Sequence, residues 1–427
     1  MKHLQNISKE KNGGFENDDE NYNAAMPVSP MAHYFNSSAL NVFVLCVLES
    51  EIPIDDSKAM QLLEGLLLPL NPRFSSIMIE GKKGKKQWKP VEVNLKEHIK
   101  VPIFPRSNNP AKLYDDDFDE YLTKIAGQEF PQDKPLWEVH IIKYPTRNSK
   151  GVLVFKMHHA LGDGYTLMAS LLSCVQRADD PSIPITFPSS KKSAELDDDG
   201  KISCCHFLNS CPSINDVLVG MIFLSIRLYM EAKNEESSKA DATGLVLLNT
   251  RRIRAYKSVK EMLDTKTNSG ASWGNQFQFM HLPIPKMSDH SNSLINPLEF
   301  VLSANKIINS LRNSLAIPLN GVLLGLVDKI KGPEVAAKYV HKTLANSSLS
   351  ISHMVGPVEK VAIDNHPVKG FYFMTVGLRQ SLTVTILSYM GYLRIGFGVE
   401  KDWIDVHHLI SCFETAQEMI LNAANKI

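Results

Sequence analysis

No excess of charge marks this chain: 46 lysines and arginines balance 46 aspartates and glutamates across 427 residues. A neutral chain without a basic face lacks the electrostatic footprint of a nucleic-acid binder, so no nucleic-acid partner is expected. The densest basic cluster, Lys82-Lys83-Gly84-Lys85-Lys86, falls between the strand-like runs Ser75–Glu80 and Trp88–Val93 and reads as a solvated hairpin turn. Cysteine is scarce. The six present (Cys46, Cys174, Cys204, Cys205, Cys211 and Cys412) have no framework spacing, which excludes a disulfide scaffold and suits a reducing compartment. Cys204-Cys205-His206 with Cys211 does not match the spacing of zinc ligands, so no metal site is expected. Long apolar runs are missing too. The most apolar helical candidate, Val217–Met230, reaches Arg227 well before the ~20 residues that a bilayer span needs, and reads as a buried helix. Met1–Asn23 is polar and charged, without the apolar segment of a secretory leader, and is expected to be disordered.

What the chain does contain is His158-His159-Ala160-Leu161-Gly162-Asp163-Gly164, the pattern H-H-x-x-x-D-G. At average residue usage a chain of this length matches that pattern by accident on the order of once in a thousand. An apolar run, Gly151–Met157, precedes it and a helix-like run, Tyr165–Gln176, follows. Strand, loop and helix would thus carry an imidazole to a sheet edge. Histidine takes a proton at neutral pH, and acyl transfer to an alcohol needs a base for the hydroxyl proton. Successive strand residues face opposite sides, so His159 is the candidate base and His158 its packed neighbour. Asp163 opens the helix as an N-cap or fixes the loop through an ion pair, without needing to touch substrate. Gly162 and Gly164 allow close approaches that a side chain would block.

The fold class expected is α/β, with helices and strands alternating from Pro27. Strand candidates in the first half are Asn41–Glu49, Ser75–Glu80, Trp88–Asn94, Trp137–Tyr144 and Gly151–Met157, with helices over Ser57–Leu68 and Tyr114–Ala126. Residues 26–178 form a first domain carrying the histidines. Residues 179–213, rich in Pro and Ser with the acidic run Asp197-Asp198-Asp199, read as a linker. Residues 214–427 form a second domain. It has helices over Ile214–Ala232, Leu298–Ser314, Gly321–Ile330 and Ile404–Ala424. Its strands are Gly244–Thr250, Ser348–Met354, Gly370–Thr375, Leu382–Met390 and Tyr392–Val399, the last two reversing at Gly391.

From about Pro27 onward the chain resembles the plant, bifunctional type of the wax ester synthase/acyl-CoA:diacylglycerol acyltransferase family. That family lies within the superfamily of chloramphenicol acetyltransferase-like folds, which shares H-H-x-x-x-D-G. The resemblance is carried by that motif and by Ser29-Pro30-Met31, Pro135-Leu136-Trp137, Asn215-Asp216-Val217, Asn249-Thr250-Arg251, Trp273-Gly274-Asn275 and Val355-Gly356-Pro357. It implies two chloramphenicol acetyltransferase-like domains of mixed sheet with flanking helices and an active site at their interface. It implies a catalytic set of His159, His158, Asp163 and Asn215, where Asn215 polarises the thioester carbonyl or orients the base. Gly164, Pro135, Leu136, Trp137, Asp216 and Asn275 are the implied substrate-binding residues. From sequence alone, Asn215 and Asp216 could merely cap a helix, Gly274-Asn275 could be only a turn, and Trp137 could be a core residue. Two departures stand out. The stretch from Phe187 to Asn215 is shorter than the family's, and His353 stands where the family more often has Asn.

The activity implied is transfer of a fatty acyl group from acyl-CoA to a long-chain alcohol or to diacylglycerol. No acyl-enzyme and no cofactor would be needed, acyl-CoA being a co-substrate. A membrane surface is the implied partner, with the endoplasmic reticulum, or the plasma membrane, as the cytosol-facing location; the sequence leaves the oligomeric state open. Two alternatives remain. One is an acyltransferase for specialised-metabolite alcohols, a group that usually carries a C-terminal Asp-Phe-Gly-Trp-Gly, absent here. The other is a catalytically silent lipid-binding homologue, which the shortened segment favours.

Overall fold

A computed structural model describes residues 26–81, 85–105, 112–186, 212–251, 273–287, 296–312, 314 and 316–426. Met1–Asn23, the Cys204–Cys211 cluster and the centre of the lysine turn lie outside the described residues. The first half runs β1 (Met26–Pro27), α1 (Pro30–Phe35), β2 (Phe43–Ser50), β3 (Ser76–Glu80), β4 (Lys86–Pro90), β5 (Ile99–Lys100), α2 (Asp115–Ala126), β6 (Trp137–Ile142), β7 (Gly151–His158), α3 (Gly164–Ser173) and β8 (Gln176–Arg177). The second begins with α4 (Ile214–Lys233), β9 (Thr243–Asn249), β10 (Phe277–Pro283), α5 (Leu298–Arg312), α6 (Ala316–Lys331) and α7 (Pro333–Ala345). It ends with β11 (Leu349–Val355), β12 (Val361–Ile363), β13 (His366–Val376), β14 (Leu382–Tyr389), β15 (Tyr392–Val399) and α8 (Val406–Ala424).

Two mixed sheets form the frame, a seven-stranded one ordered β5-β6-β7-β2-β13-β12-β8 and a five-stranded one ordered β10-β9-β11-β14-β15. Every residue of β2 and of β7 is buried, as near-continuous apolar strands inside a covered sheet should be. The β3–β4 hairpin pairs antiparallel, as the lysine turn requires. The β14–β15 hairpin reverses at Met390 and Gly391, with φ of 52° and 79°. A two-residue turn with both φ positive matches the strand twist.

Two expectations need correction. Residues 361–376 were grouped with the second half, yet β13 pairs along the whole of β2 from Val376↔Phe43 to Val368↔Ser50, so β12 and β13 complete the first sheet. Ser57–Leu68 is not one α-helix. A short α turn, Ala59–Leu62, widens into a π turn over Leu63–Leu67 and tightens to a 3-10 turn over Leu68–Leu70. Pro69 offers no N–H and its ring crowds the carbonyl four residues back, which ends regular α geometry there.

The first core packs around Trp88, Trp137, Phe74 and Phe155. A second packs α4, α5 and α8 on the five-stranded sheet around Phe223, Leu224 and Val384. Between them a third cluster joins Tyr34, Phe35, Leu40 and Val42 of the first half to Leu245, Phe277, Ala336 and Ala337 of the second. The histidine motif ends at this seam.

Candidate active site

Strand β7 delivers both histidines into the seam, held by backbone bonds from His158 N–H to Leu136 O (3.0 Å) and from His159 N–H to Val42 O (2.8 Å). Their rings then diverge. His158 points inward, where Nε2–H donates to Asn41 Oδ1 (2.7 Å) and Nδ1 accepts from Ala160 N–H (3.0 Å). With both nitrogens engaged, burial and the nearby charges of His159, Lys86 and Lys156 push its pKa down to about 3. His158 is thus neutral and packed, and the catalytic role that the resemblance implied for it finds no free ring nitrogen here.

His159 turns to the other side, between the rings of Phe35 (centroids 4.7 Å apart) and Phe277 (5.5 Å). Asn275 Nδ2–H donates to the His159 carbonyl at 2.9 Å, so its Oδ1 is the atom that faces His159 Nδ1 at 2.8 Å. That oxygen can only accept, and Nδ1 must therefore carry the hydrogen. The tautomer is fixed. The lone pair lies on Nε2, which has no protein partner among the described residues, and the ring lines a small cavity of about 10 Å³. Burial lowers the His159 pKa, while the Asp163 carboxylate and Asn275 oppose that shift. A neutral imidazole with an exposed lone pair at a cavity wall is what a general base requires.

Asp163 does not line the cavity. It caps α3, where Oδ1 accepts Thr166 N–H (3.1 Å) and Oγ1–H (2.7 Å), and Oδ2 accepts Gln276 N–H (2.9 Å) and the Arg251 guanidinium. Both readings of Asp163, cap and ion pair, hold at once. Arg251 and Asp163 side chains are 1 % and 5 % exposed, and Arg251 Nη2 also donates to Gly274 O at 2.7 Å. Gly274 has φ of 123°, a conformation that glycine alone adopts without strain. Leu161 O accepts from Trp273 Nε1–H (2.8 Å) and Arg73 Nη1 (3.0 Å), fastening the loop from two more directions. A Cβ on Gly164 would meet Met354 Sδ at 2.6 Å, so this glycine lets α3 approach β11 rather than facing the cavity.

The cavity wall beside His159 is apolar: Phe35, Val42, Leu247, Phe277, Phe279 and Leu378. It also carries hydroxyls, from Ser350 and Ser352 on β11, Thr383 on β14 and Thr375 on β13. Ser350 and Thr383 are cross-strand partners, with Ser350 Oγ donating to Thr383 Oγ1 at 3.2 Å.

The remaining sequence candidates sit elsewhere. Pro135, Leu136 and Trp137 start β6 in the first core. Trp137 is 1 % exposed, stacks on His98 and donates Nε1–H to Phe74 O at 2.9 Å, while Leu136 O anchors His158. Asp216 closes a capping box with Ser213 at the head of α4 and accepts Asn305 Nδ2–H at 2.9 Å. Asn215 is half-buried beside it and belongs neither to the cavity lining nor to the bonds of His159. Asn275, read as substrate-binding, contacts His159 itself. Sequence reasoning missed Arg251 as the partner of Asp163, although Asn249-Thr250-Arg251 had marked the segment. It also missed Asn41, Arg73, Phe35, Phe277 and the hydroxyls, for which no local signal exists.

Against known proteins, the wax ester synthase/diacylglycerol acyltransferase catalytic domain model matches residues 53–260, and the WS/DGAT C-terminal domain model matches residues 273–421. The chain belongs to the wax ester synthase/diacylglycerol acyltransferase family. It is an O-acyltransferase of that family. Wax ester synthase/diacylglycerol acyltransferase 2 of Arabidopsis thaliana is 27% identical over 476 residues, covering 94% of this chain and 96% of the relative. Number 6 of the same plant is 23% identical, covering 96% of each. The first alignment is longer than the 427 residues present, so that relative carries insertions that this chain lacks. Among solved structures, the wax ester synthase/diacylglycerol acyltransferase of Marinobacter aquaeolei superposes with TM-score 0.57 at 15% identity, over 93% of this chain and 100% of that one. The first condensation domain of the CDA synthetase gives 0.51 at 11%, over 92% and 91%. Both are likenesses of fold, the two-domain, chloramphenicol acetyltransferase-like architecture.

Proposed function

We propose that this family member moves a fatty acyl group from acyl-CoA to a long-chain alcohol, giving a wax ester, or to diacylglycerol, giving triacylglycerol. The observation that carries the proposal is the reciprocal His159–Asn275 pair, which leaves the Nε2 lone pair at an apolar cavity. In this reading the acceptor hydroxyl gives its proton to Nε2 as its oxygen bonds to the thioester carbonyl carbon. The tetrahedral intermediate then collapses, the C–S bond breaks, and Nε2–H protonates the departing CoA thiolate. General base catalysis of this kind contributes ~10²–10⁴-fold. Ser352, Thr375 and Thr383 line the same cavity and are the donors available to the oxyanion, a contact typically worth ~2.7–4 kcal/mol. The apolar wall keeps out water, the competing nucleophile. The reading needs acyl-CoA as co-substrate and no cofactor, and family resemblance suggests a cytosol-facing site at the endoplasmic reticulum or the plasma membrane.

The test is purified protein and its His159→Ala variant, each given labelled palmitoyl-CoA with hexadecanol or diacylglycerol. Ester formed by the wild type and lost in the variant supports the proposal and names the preferred acceptor. Folded wild-type protein that binds acyl chains and makes no ester overturns it in favour of a silent homologue.

A further inference from the structure

A stripe of exposed apolar side chains lies on α6. Leu319, Val322, Leu323, Leu326 and Ile330 are 55, 60, 50, 47 and 78 % exposed, at steps of three and four that place them on one stripe of the helix. Val335 and Tyr339 of α7 extend it, at 42 and 63 % exposed. Hydrophobic side chains exposed singly are ordinary, but a contiguous stripe marks a contact surface. The opposite face of α6 turns toward the protein. Leu324 and Val327 pack on the seam cluster to which Phe35 and Phe277 belong, and Gly321 lies against the Gln278 side chain of β10. The stripe is therefore one helix thickness from the wall of the His159 cavity.

Charge identifies the occupant. Along this stretch the exposed ionic groups are Lys329, Lys331, Lys338 and Lys342 against Glu334, with Asp328 half-buried. An apolar stripe flanked by lysines complements a surface that is apolar beneath and anionic above, which a protein partner would match only by coincidence. Among the described residues no helix is long and apolar enough to cross a membrane. A helix of this kind lies in the interface plane with its apolar face sunk among the acyl chains. We infer that the outer face of α6, with Val335 and Tyr339, docks on a bilayer surface carrying anionic headgroups. This deepens the proposed function and rests on it for the purpose of the contact, which sets the cavity beside membrane-dissolved acceptors.

The experiment is flotation of the full chain with phosphatidylcholine vesicles, with and without phosphatidylserine. Leu323→Glu with Leu326→Glu should lower vesicle partitioning at least about tenfold, since two apolar side chains no longer enter the interface. Lys329→Glu with Lys331→Glu should abolish the gain from phosphatidylserine, about tenfold or more. Val322→Ser with Ile330→Ser is the milder second variant, and all should melt near the wild-type temperature. Transfer from a short-chain acyl-CoA to a water-soluble alcohol should be unchanged in each. A stripe variant that floats like the wild type overturns the inference. So does a wild-type dimer that the stripe variant splits, since a second copy would then cover the face. Vesicle binding without any acyl transfer would sink the proposed function and leave the docking surface standing.

Discussion

Asn275 grips His159 at both ends, donating to its carbonyl at 2.9 Å and receiving Nδ1–H at 2.8 Å. Asn275→Ala leaves the ring free to turn and to exchange tautomers. Turnover should fall about a hundredfold, within the range that a positioned base contributes, with KM moved far less. Steady-state kinetics of the variant check this.

The same contact sets a pH signature. In the proposed mechanism His159 acts while neutral, and burial holds its pKa below the ordinary imidazole value. Activity should therefore be flat through neutrality and fall on the acid side only below about 6.5. Asn275→Asp places a carboxylate beside Nδ1–H, which favours the imidazolium. Its acid limb should move to higher pH, whereas a purely structural role for Asn275 would leave the limb in place.

Arg251→Ala strips the buried Asp163 carboxylate of its cation. Removing one member of a buried pair costs about 3–5 kcal/mol, and here it also releases Gly274 O. The melting temperature should drop by several degrees and activity should fall with it. Arg251→Lys should recover part of the stability, because a single nitrogen must then reach the acceptors that two guanidinium nitrogens serve.

His158 predicts acid sensitivity of the fold. Its pKa is about 3 in the folded chain, against about 6.5 unfolded. Above 6.5 both states are neutral and the full stability is present. As pH falls from there toward 3, the unfolded chain takes up the proton and the folded one does not. Each pH unit then costs up to about 1.4 kcal/mol. Denaturant titrations at a series of pH values should show this slope, and His158→Gln, which keeps a donor near Asn41, should flatten it.

Ser352→Phe would fill the cavity from the β11 side. The rate with long-chain acyl-CoA should fall more than the rate with a short-chain one, read as a ratio of kcat/KM values. An unchanged ratio would show that the chain does not lie along this wall.

What the sequence could show depended on distance along the chain. His159, Asp163 and Gly164 lie within six residues, so strand, loop and helix could be read around them and were found as expected. Asn275 and Arg251 reach the same loop from 116 and 88 residues away. Only family resemblance had marked their segments, and it could not say that one holds the base and the other the carboxylate. Trp137 shows the opposite error. Its motif suggested a substrate channel, while its burial and its bond to Phe74 O make it a core residue. The membership of β13 was illegible for another reason: its alternating pattern fits either sheet, and only the register with β2 decides.

That register has a consequence for how the molecule comes apart. With β13 laid along β2, neither half owns all of its backbone partners. A fragment ending in the 179–213 segment would leave one edge of β2, eight buried residues of which six are apolar, without its neighbour. Unpaired apolar edges template intermolecular pairing, so such a fragment should aggregate rather than fold. The two halves are thus stitched into one cooperative unit, and the strand that leads to His159 gains its rigidity from residues synthesised some two hundred positions after it.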